Sequence, residues 1–315
     1  MRDIKAARRP GLKGALPRLA QWAVIPPARM ERAKMALRHV IGLDHVVIAV
    51  RDLDAAAGAW RALGFTVSPR GTHSAHMGSG NYTMMLGEDY MELLGVLVPT
   101  DHNAGLRAFL EKREGLDRAA FTATDADAGA EEVRARGLAA TGPVAFGRPV
   151  PLPGGGEAEA RFRVFQWPKE DRPAGLGIFA CQHLTRGNVW IPELQHHANG
   201  ASRLVRVEVL ARDPGAAAAH MARLIDRAVE KEPDGAFRVP SGGNRADFVF
   251  LDRGQLAARH PGVALDGLPE EGGAALVIGT KDLGAAAQAV GAPAGGAVVV
   301  PPARATGVLL RFVAD

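Results

Sequence analysis

Residues 42–65 read GLDHVVIAVRDLDAAAGAWRALGF: a β-branched run from His45 to Val50, aspartates at 52 and 54, an alanine-rich stretch and a glycine at 64. The run predicts a strand, Asp52 or Asp54 a helix N-cap, the alanines a helix over 53–63, and Gly64 its left-handed end. Shifted by 73 residues, the pattern falls on GLDRAAFTATDADAGAEEVRARGL at 115–138. There Gly42, Leu43, Asp44, Asp52 and Gly64 meet Gly115, Leu116, Asp117, Asp125 and Gly137. Shifts of 161 and 230 bring Asp52 onto Asp213 in LVRVEVLARDPGAAAAHMARLI and Asp282 in ALVIGTKDLGAAAQAV. Self-similarity on this scale marks repeated structural units, so four strand–Asp–helix units organise the chain. The copies part company at one place: His45 becomes Arg118, Arg206 and Ala275.

Between the repeats the chain fills in as βαβββ. A short strand is expected at 65–68, then a loop over 69–80 carrying His73 and His76, then strands at 81–86 and 90–96 joined by a tight turn. A helical connector over 100–114 leads to the second unit, with a strand at 117–124 and a helix at 126–136. The Pro/Gly-rich stretch 143–156 predicts an exposed loop or lid, and strands follow at 161–167 and 175–183. After the linker LTRGNVWIPELQHHANGAS, a third unit opens at Arg203 with further strands near 237–239 and 246–251. The fourth is compressed into 274–313. The fold class is therefore α+β, in three segments. A basic, disordered extension covers 1–41, two complete units cover 42–200, and a degenerate pair covers 201–315.

At 47% hydrophobic and 23% charged residues over a length of 315, the composition is that of an ordinary soluble chain of about two domains. The net charge of +4 hides an asymmetry: residues 1–40 hold ten Lys/Arg against two Asp/Glu, and the remainder is net acidic. The repeated part is thus a poor nucleic-acid binder. No run of 18 apolar residues predicts a membrane span. The single cysteine, Cys181, excludes an internal disulfide and fits a reducing cytoplasm. The glycine-rich GGGEAE at 154–159 and SGGN at 241–244 lack a following Lys-Ser/Thr, and no GxSxG or HExxH occurs.

Tandem βαβββ units that open with LDHVVIAV and close with YMELLGV resemble the vicinal-oxygen-chelate superfamily of glyoxalase I, bleomycin-resistance proteins and extradiol dioxygenases. The added motifs FACQH and QHHANGA are similar to the glyoxalase-like domain family, over residues 42 to about 210. The resemblance implies a curved sheet around a cavity, with a divalent metal held by the first and last strands of each unit. On this chain those positions give His45 and Glu92, while Arg118 replaces the ligand of the second unit's first strand. The second unit's last strand offers His183, and His197 rivals it as third ligand. Two histidines and a carboxylate would suit Fe(II), Mn(II) or Zn(II) and leave positions open for two substrate oxygens.

Each of these residues also has a plainer role. His45 and Glu92 can be hydrogen-bonded core residues in apolar strands, and Cys181 a small buried side chain. His76 and His197 are candidate bases, with Glu92 shared between catalysis and metal; exposed loop histidines are often idle. Arg118 and Trp190 are candidate substrate contacts, the first for a carboxylate and the second as a pocket wall; a salt bridge and core packing are the alternatives.

The resemblance thus implies a metal-dependent enzyme of glyoxalase or dioxygenase type for a small molecule with vicinal oxygens. Arg118 argues against a glutathione-dependent lactoylglutathione lyase. The rival reading is a metal-free small-molecule binding or resistance protein of the same fold. A small-molecule substrate, no nucleic-acid or membrane partner, and at most a homodimer complete the expectation.

Overall fold

Four aspartates punctuate the fold as N-caps. Asp52, Asp125, Asp213 and Asp282 each accept a hydrogen bond from the backbone N–H three residues on, at 2.9–3.0 Å. Each ends a strand and satisfies one of the orphan amides of the helix that follows, which is why the repeat preserves it. The computed structural model describes residues 37–152, 154–293 and 297–315.

The first unit comprises β1 (Val40–Ala49), α1 (Leu53–Ala62), β2 (Gly71–Thr72), β3 (Ser79–Met85) and β4 (Tyr90–Val96). Helix α2 (Ala104–Lys112) connects it to the second, built from β5 (Gly115–Ala123), α3 (Ala126–Ala135), β6 (Thr141–Pro151), β7 (Glu157–Gln166) and β8 (Gly177–His183). The third has β9 (Ala201–Leu210), α4 (Pro214–Ile225), β10 (Glu230–Lys231), β11 (Phe237–Val239) and β12 (Asp247–Leu251), followed by α5 (Arg253–Arg259). The fourth has β13 (Gly272–Thr280), α6 (Leu283–Val290), β14 (Val298–Val300) and β15 (Leu309–Ala314).

Units pair through their first strands. One sheet runs β2-β3-β4-β1-β5-β8-β7-β6, and the other β10-β11-β12-β9-β13-β15-β14. At each centre the two leading strands are antiparallel, while each lies parallel to its own unit's last strand. The edge strands β2 and β6 approach each other, so the first sheet curls around its concave face. Its outer face packs toward the second sheet. Phe121 lies against Phe248 and Phe65 against Phe312, and Trp60 Nε1 donates to Thr306 Oγ1. One buried cluster spans both sheets and the helices between them. The halves at 42–200 and 201–315 therefore share a core.

Several boundaries differ from expectation. Residues 1–36 of the basic extension lie outside the described residues, and its limit moves, since β1 starts at Val40 and Leu37 is buried. No strand forms at 65–68; the short one is β2. The expected loop at 143–156 belongs mostly to a long β6–β7 hairpin. Its prolines 143, 149 and 151 sit on β6, an edge strand where a missing N–H costs no ladder bond. Among the described residues no helix is long and apolar enough to cross a membrane.

Asp89 joins the two sheets. It is buried in the turn before β4 and accepts the Leu204 N–H of β9 at 3.0 Å. Burial pushes its carboxyl up to about 7, against smaller opposing effects of that hydrogen bond and of Arg245. The folded chain therefore keeps a proton that the unfolded chain releases near pH 4. This contribution to stability is complete below pH 4 and is lost as pH rises through 7, at up to about 1.4 kcal/mol per pH unit. Asp89→Asn keeps the acceptor without the charge. Denaturant unfolding at pH 5, 6.5 and 8 should show the variant gaining on wild type with pH; parallel profiles would mean Asp89 is charged in the fold.

Candidate functional site

The register of the first sheet fixes what lies on its concave face. His45 lies opposite Tyr90 and Ala120, and Val47 opposite Glu92 and Arg118, so all share the concave face. On β8, Phe179 lies opposite Ala120 and Cys181 opposite Thr122, on that same face, and His183 pairs with Phe162 of β7. The four positions related by the duplication are thus His45, Glu92, Arg118 and Phe179. Two can bind a metal, one is a cation and one an aromatic ring.

Asp44 joins this face through a β-bulge. Leu43 pairs with Phe121 and His45 with Ala120, so Asp44 is an extra residue in β1. A bulge re-aims a side chain that strict alternation would send to the other face. Asp44 Oδ1 accepts from His45 Nδ1 at 2.7 Å and from His183 Nε2 at 2.9 Å, and Oδ2 accepts from Thr122 Oγ1 at 2.8 Å. Burial would raise its carboxyl, but the charge and hydrogen bonds of His183 and His45 outweigh that and hold it far below the carboxylate range. Asp44 is an anion at zero exposure, sustained by three donors.

With Nδ1 donating to Asp44, the His45 Nε2 lone pair is turned toward Glu92 Oε2, 3.7 Å away. The other Glu92 oxygen is held by Asn81 Nδ2 at 2.5 Å. The Tyr90 ring stacks on His45 at 4.3 Å and fixes the imidazole plane. In the neutral tautomer that donates from Nδ1, two acceptors face each other with no proton between them. A divalent ion held by both would satisfy the two acceptors, and their residue types fit one.

Among the described residues, the one group of three His or acidic side chains with ligand atoms within 4.8 Å is Asp44, His45 and His183. Its 2.7 and 2.9 Å separations are hydrogen-bond lengths, and here the Asp44 carboxylate accepts from both imidazoles. His183 thus meets His45 through Asp44 rather than facing Glu92.

The other sequence candidates are placed apart. His197 has both nitrogens engaged, Nδ1 by the Thr66 N–H at 3.0 Å and Nε2 by the Met85 carbonyl at 2.8 Å, so it is a strut outside the cluster. His76 is exposed and packs edge-on against His102. His73 instead lies opposite Ser79 on the cavity side, its Nδ1 2.8 Å from Ser79 Oγ; burial lowers its pKa. Arg118 reaches the concave face but is bound to Asp117 at 2.5 Å. Trp190 packs edge-on over Tyr90 and His183 and closes that end of the cavity. Burial raises the Cys181 thiol well above its usual value, which leaves it protonated and inert.

Sequence reasoning missed Asp44 and Asn81. For Asp44 a signal was present: adjacent polar residues in an apolar strand, repeated as Asp117-Arg118, call for a bulge. Nothing local marked Asn81.

A family model described as "Glyoxalase-like domain" matches residues 43–225, more than half of the chain. No curated protein matches the sequence. Among solved structures, a hypothetical protein from Staphylococcus aureus aligns at 13% identity and TM-score 0.65, over 87% of this chain and 99% of its own. A xylose isomerase-like TIM barrel/4-hydroxyphenylpyruvate dioxygenase fusion protein aligns at 15% and 0.50, over 79% of this chain and 38% of its own. Methylmalonyl-CoA epimerase from Mycobacterium tuberculosis aligns at 22% identity and TM-score 0.37, over 50% of this chain and 97% of its own. These likenesses concern the fold, which is that of the vicinal-oxygen-chelate proteins.

The Asp44 network has a measurable cost of removal. Asp44→Ala strands two imidazole N–H groups and a hydroxyl in the interior, at about 1–3 kcal/mol each. Urea unfolding should show a loss of about 3 kcal/mol or more, against about 1 kcal/mol for Thr122→Val. Equal losses would show that the carboxylate does not anchor the fold.

Proposed function

The chain belongs to the glyoxalase-like domain family, and from that premise we propose that it is a metal-dependent enzyme acting on a small molecule with neighbouring oxygens. The supporting observation is the 3.7 Å opposition of His45 Nε2 and Glu92 Oε2, two buried acceptors each locked by a partner on its far side. When bound, the ion supplies Lewis-acid stabilisation of negative charge on adjacent substrate oxygens.

The chain's own residues do the rest. Asp44 fixes the His45 tautomer and raises its basicity, as an outer carboxylate does for a ligating histidine. Asn81 orients Glu92, and the rings of Tyr90, Phe179 and Trp190 keep water out. A proton acceptor is needed if the substrate carries an acidic C–H or O–H. His73 is the base this geometry favours over His76 and His197, being an imidazole that burial keeps neutral at the cavity rim. His183 supports the site through Asp44 and is a positioning residue.

A metal-free binding protein is favoured by a different observation: Arg118 and Phe179 occupy half of the duplicated ligand positions. Metal analysis separates the readings. Purified protein reconstituted with Fe(II), Mn(II) or Zn(II) should hold one ion per chain. His45→Ala and Glu92→Gln should lose it, and His183→Ala should keep it with affinity reduced about 10- to 100-fold. An apo wild type under all three conditions would put the binding protein first.

A further inference from the structure

Arg148 is the most buried arginine among the described residues, at 9% exposure. It sits on β6 opposite Ala160, two residues from Phe146, which lies opposite Phe162 on the concave face. Among the described residues its side chain makes no hydrogen bond and has no carboxylate within ion-pair distance. Other half-buried guanidinium groups do: Arg118 pairs with Asp117, Arg245 with Glu88 and Arg259 with Asp234. None of the Arg148 nitrogens is both fully buried and unpartnered, so the guanidinium keeps contact with solvent while lacking a counter-charge, and an anion that reached it would supply one.

The groups around it form a cradle. A Cβ on Gly71 would overlap Asn81 Oδ1 and come within 2.8 Å of Arg148 Nη1, so β2 admits the guanidinium because residue 71 is glycine. Asn81 Oδ1 is itself buried without a partner, while its Nδ2 is committed to Glu92. By register Arg148 shares the concave face with Phe146, on the side where Gly71 and Asn81 of β2 and β3 lie. A fixed planar fork of donors suits a carboxylate or phosphoryl oxygen pair.

We infer that Arg148 anchors an oxyanion group, carboxylate or phosphoryl, of a ligand whose flat apolar body lies against the Phe146 side chain, which itself stacks on the buried Phe162. The inference rests on the same concave cavity as the proposed activity, but it needs no metal. The ligand class is thus an aryl or otherwise planar anion, with the anionic end at the β2–β6 seam and the body directed toward His45 and Glu92.

The test is calorimetric titration of chelator-treated full-length protein with benzoate, phenylphosphonate and benzamide at fixed ionic strength. At least one anion should bind tenfold or more tighter than neutral benzamide, and which one wins identifies carboxylate or phosphoryl recognition. Arg148→Met should abolish the preference and leave benzamide binding unchanged. Should that variant not fold, Arg148→Lys, which keeps the charge but not the fork, should weaken the favoured anion at least threefold. The inference is overturned if benzamide binds as tightly as both anions, if no anion binds, or if the preference survives Arg148→Met. It is also overturned if the preference appears only after metal is restored, because the anion then sits on the ion. A preference in metal-free protein upholds it whether or not the chain holds a metal.

Discussion

The buried Asp44 carboxylate is the constraint on which the site depends. A fully desolvated anion survives only with donors on its lone pairs, and those donors are His45, His183 and Thr122, from three different strands. The bond that stabilises the anion also fixes the tautomer of His45. The chain therefore couples the stability of the sheet centre to the direction of one imidazole lone pair. Satisfying the buried charge and orienting the imidazole are the same act here.

That device belongs to a repeated backbone feature. Each unit's first strand carries a bulge at the same place: Asp44 and Asp117 in the first sheet, Val205 and Ala274 in the second. In the first sheet both bulges hold a buried aspartate paired with the next residue, His45 or Arg118. Asp117 is also approached by Arg172, as Asp44 is by His183. The duplication thus kept the carboxylate and changed its partners from imidazoles to guanidiniums. In the second sheet the bulge residues are apolar. Its concave face is filled instead by Leu256 and Leu268 and by the buried pair of Glu208 with His260 at 2.6 Å. Burial would raise Glu208, but hydrogen bonding and charge from His260, with Arg206 and Arg259, lower it.

The second half nevertheless has a definite part in the first half's site. The outer faces of the two sheets share one core, so the strands that carry His45, Glu92 and His183 are backed by β9 and β13 and the helices between. A curled sheet with an exposed outer face would lose that apolar burial, and the curl is what brings β2 to β6 and Arg148 to Asn81. The second pair of units thus backs the sheet that carries the candidate site.

Much was legible in the sequence because it is local or periodic. The four Asp caps, the alternation of β1, the departure of His45 from its repeat and Glu92 in an apolar strand all follow from the 2- and 3.6-residue periods and from the needs of a helix N-terminus. They fixed the βαβββ units, and the resemblance of their motifs pointed to the glyoxalase-like family. What needed the tertiary structure was everything set by register or by strands far apart in the chain. A bulge moves Asp44 by one residue and so across the sheet, His197 is consumed by Thr66 and Met85, and Arg148 meets Gly71 across the seam of the curl. Side-chain period determines which face a residue takes only while the ladder is regular; once a bulge or a closing edge intervenes, the three-dimensional pairing decides.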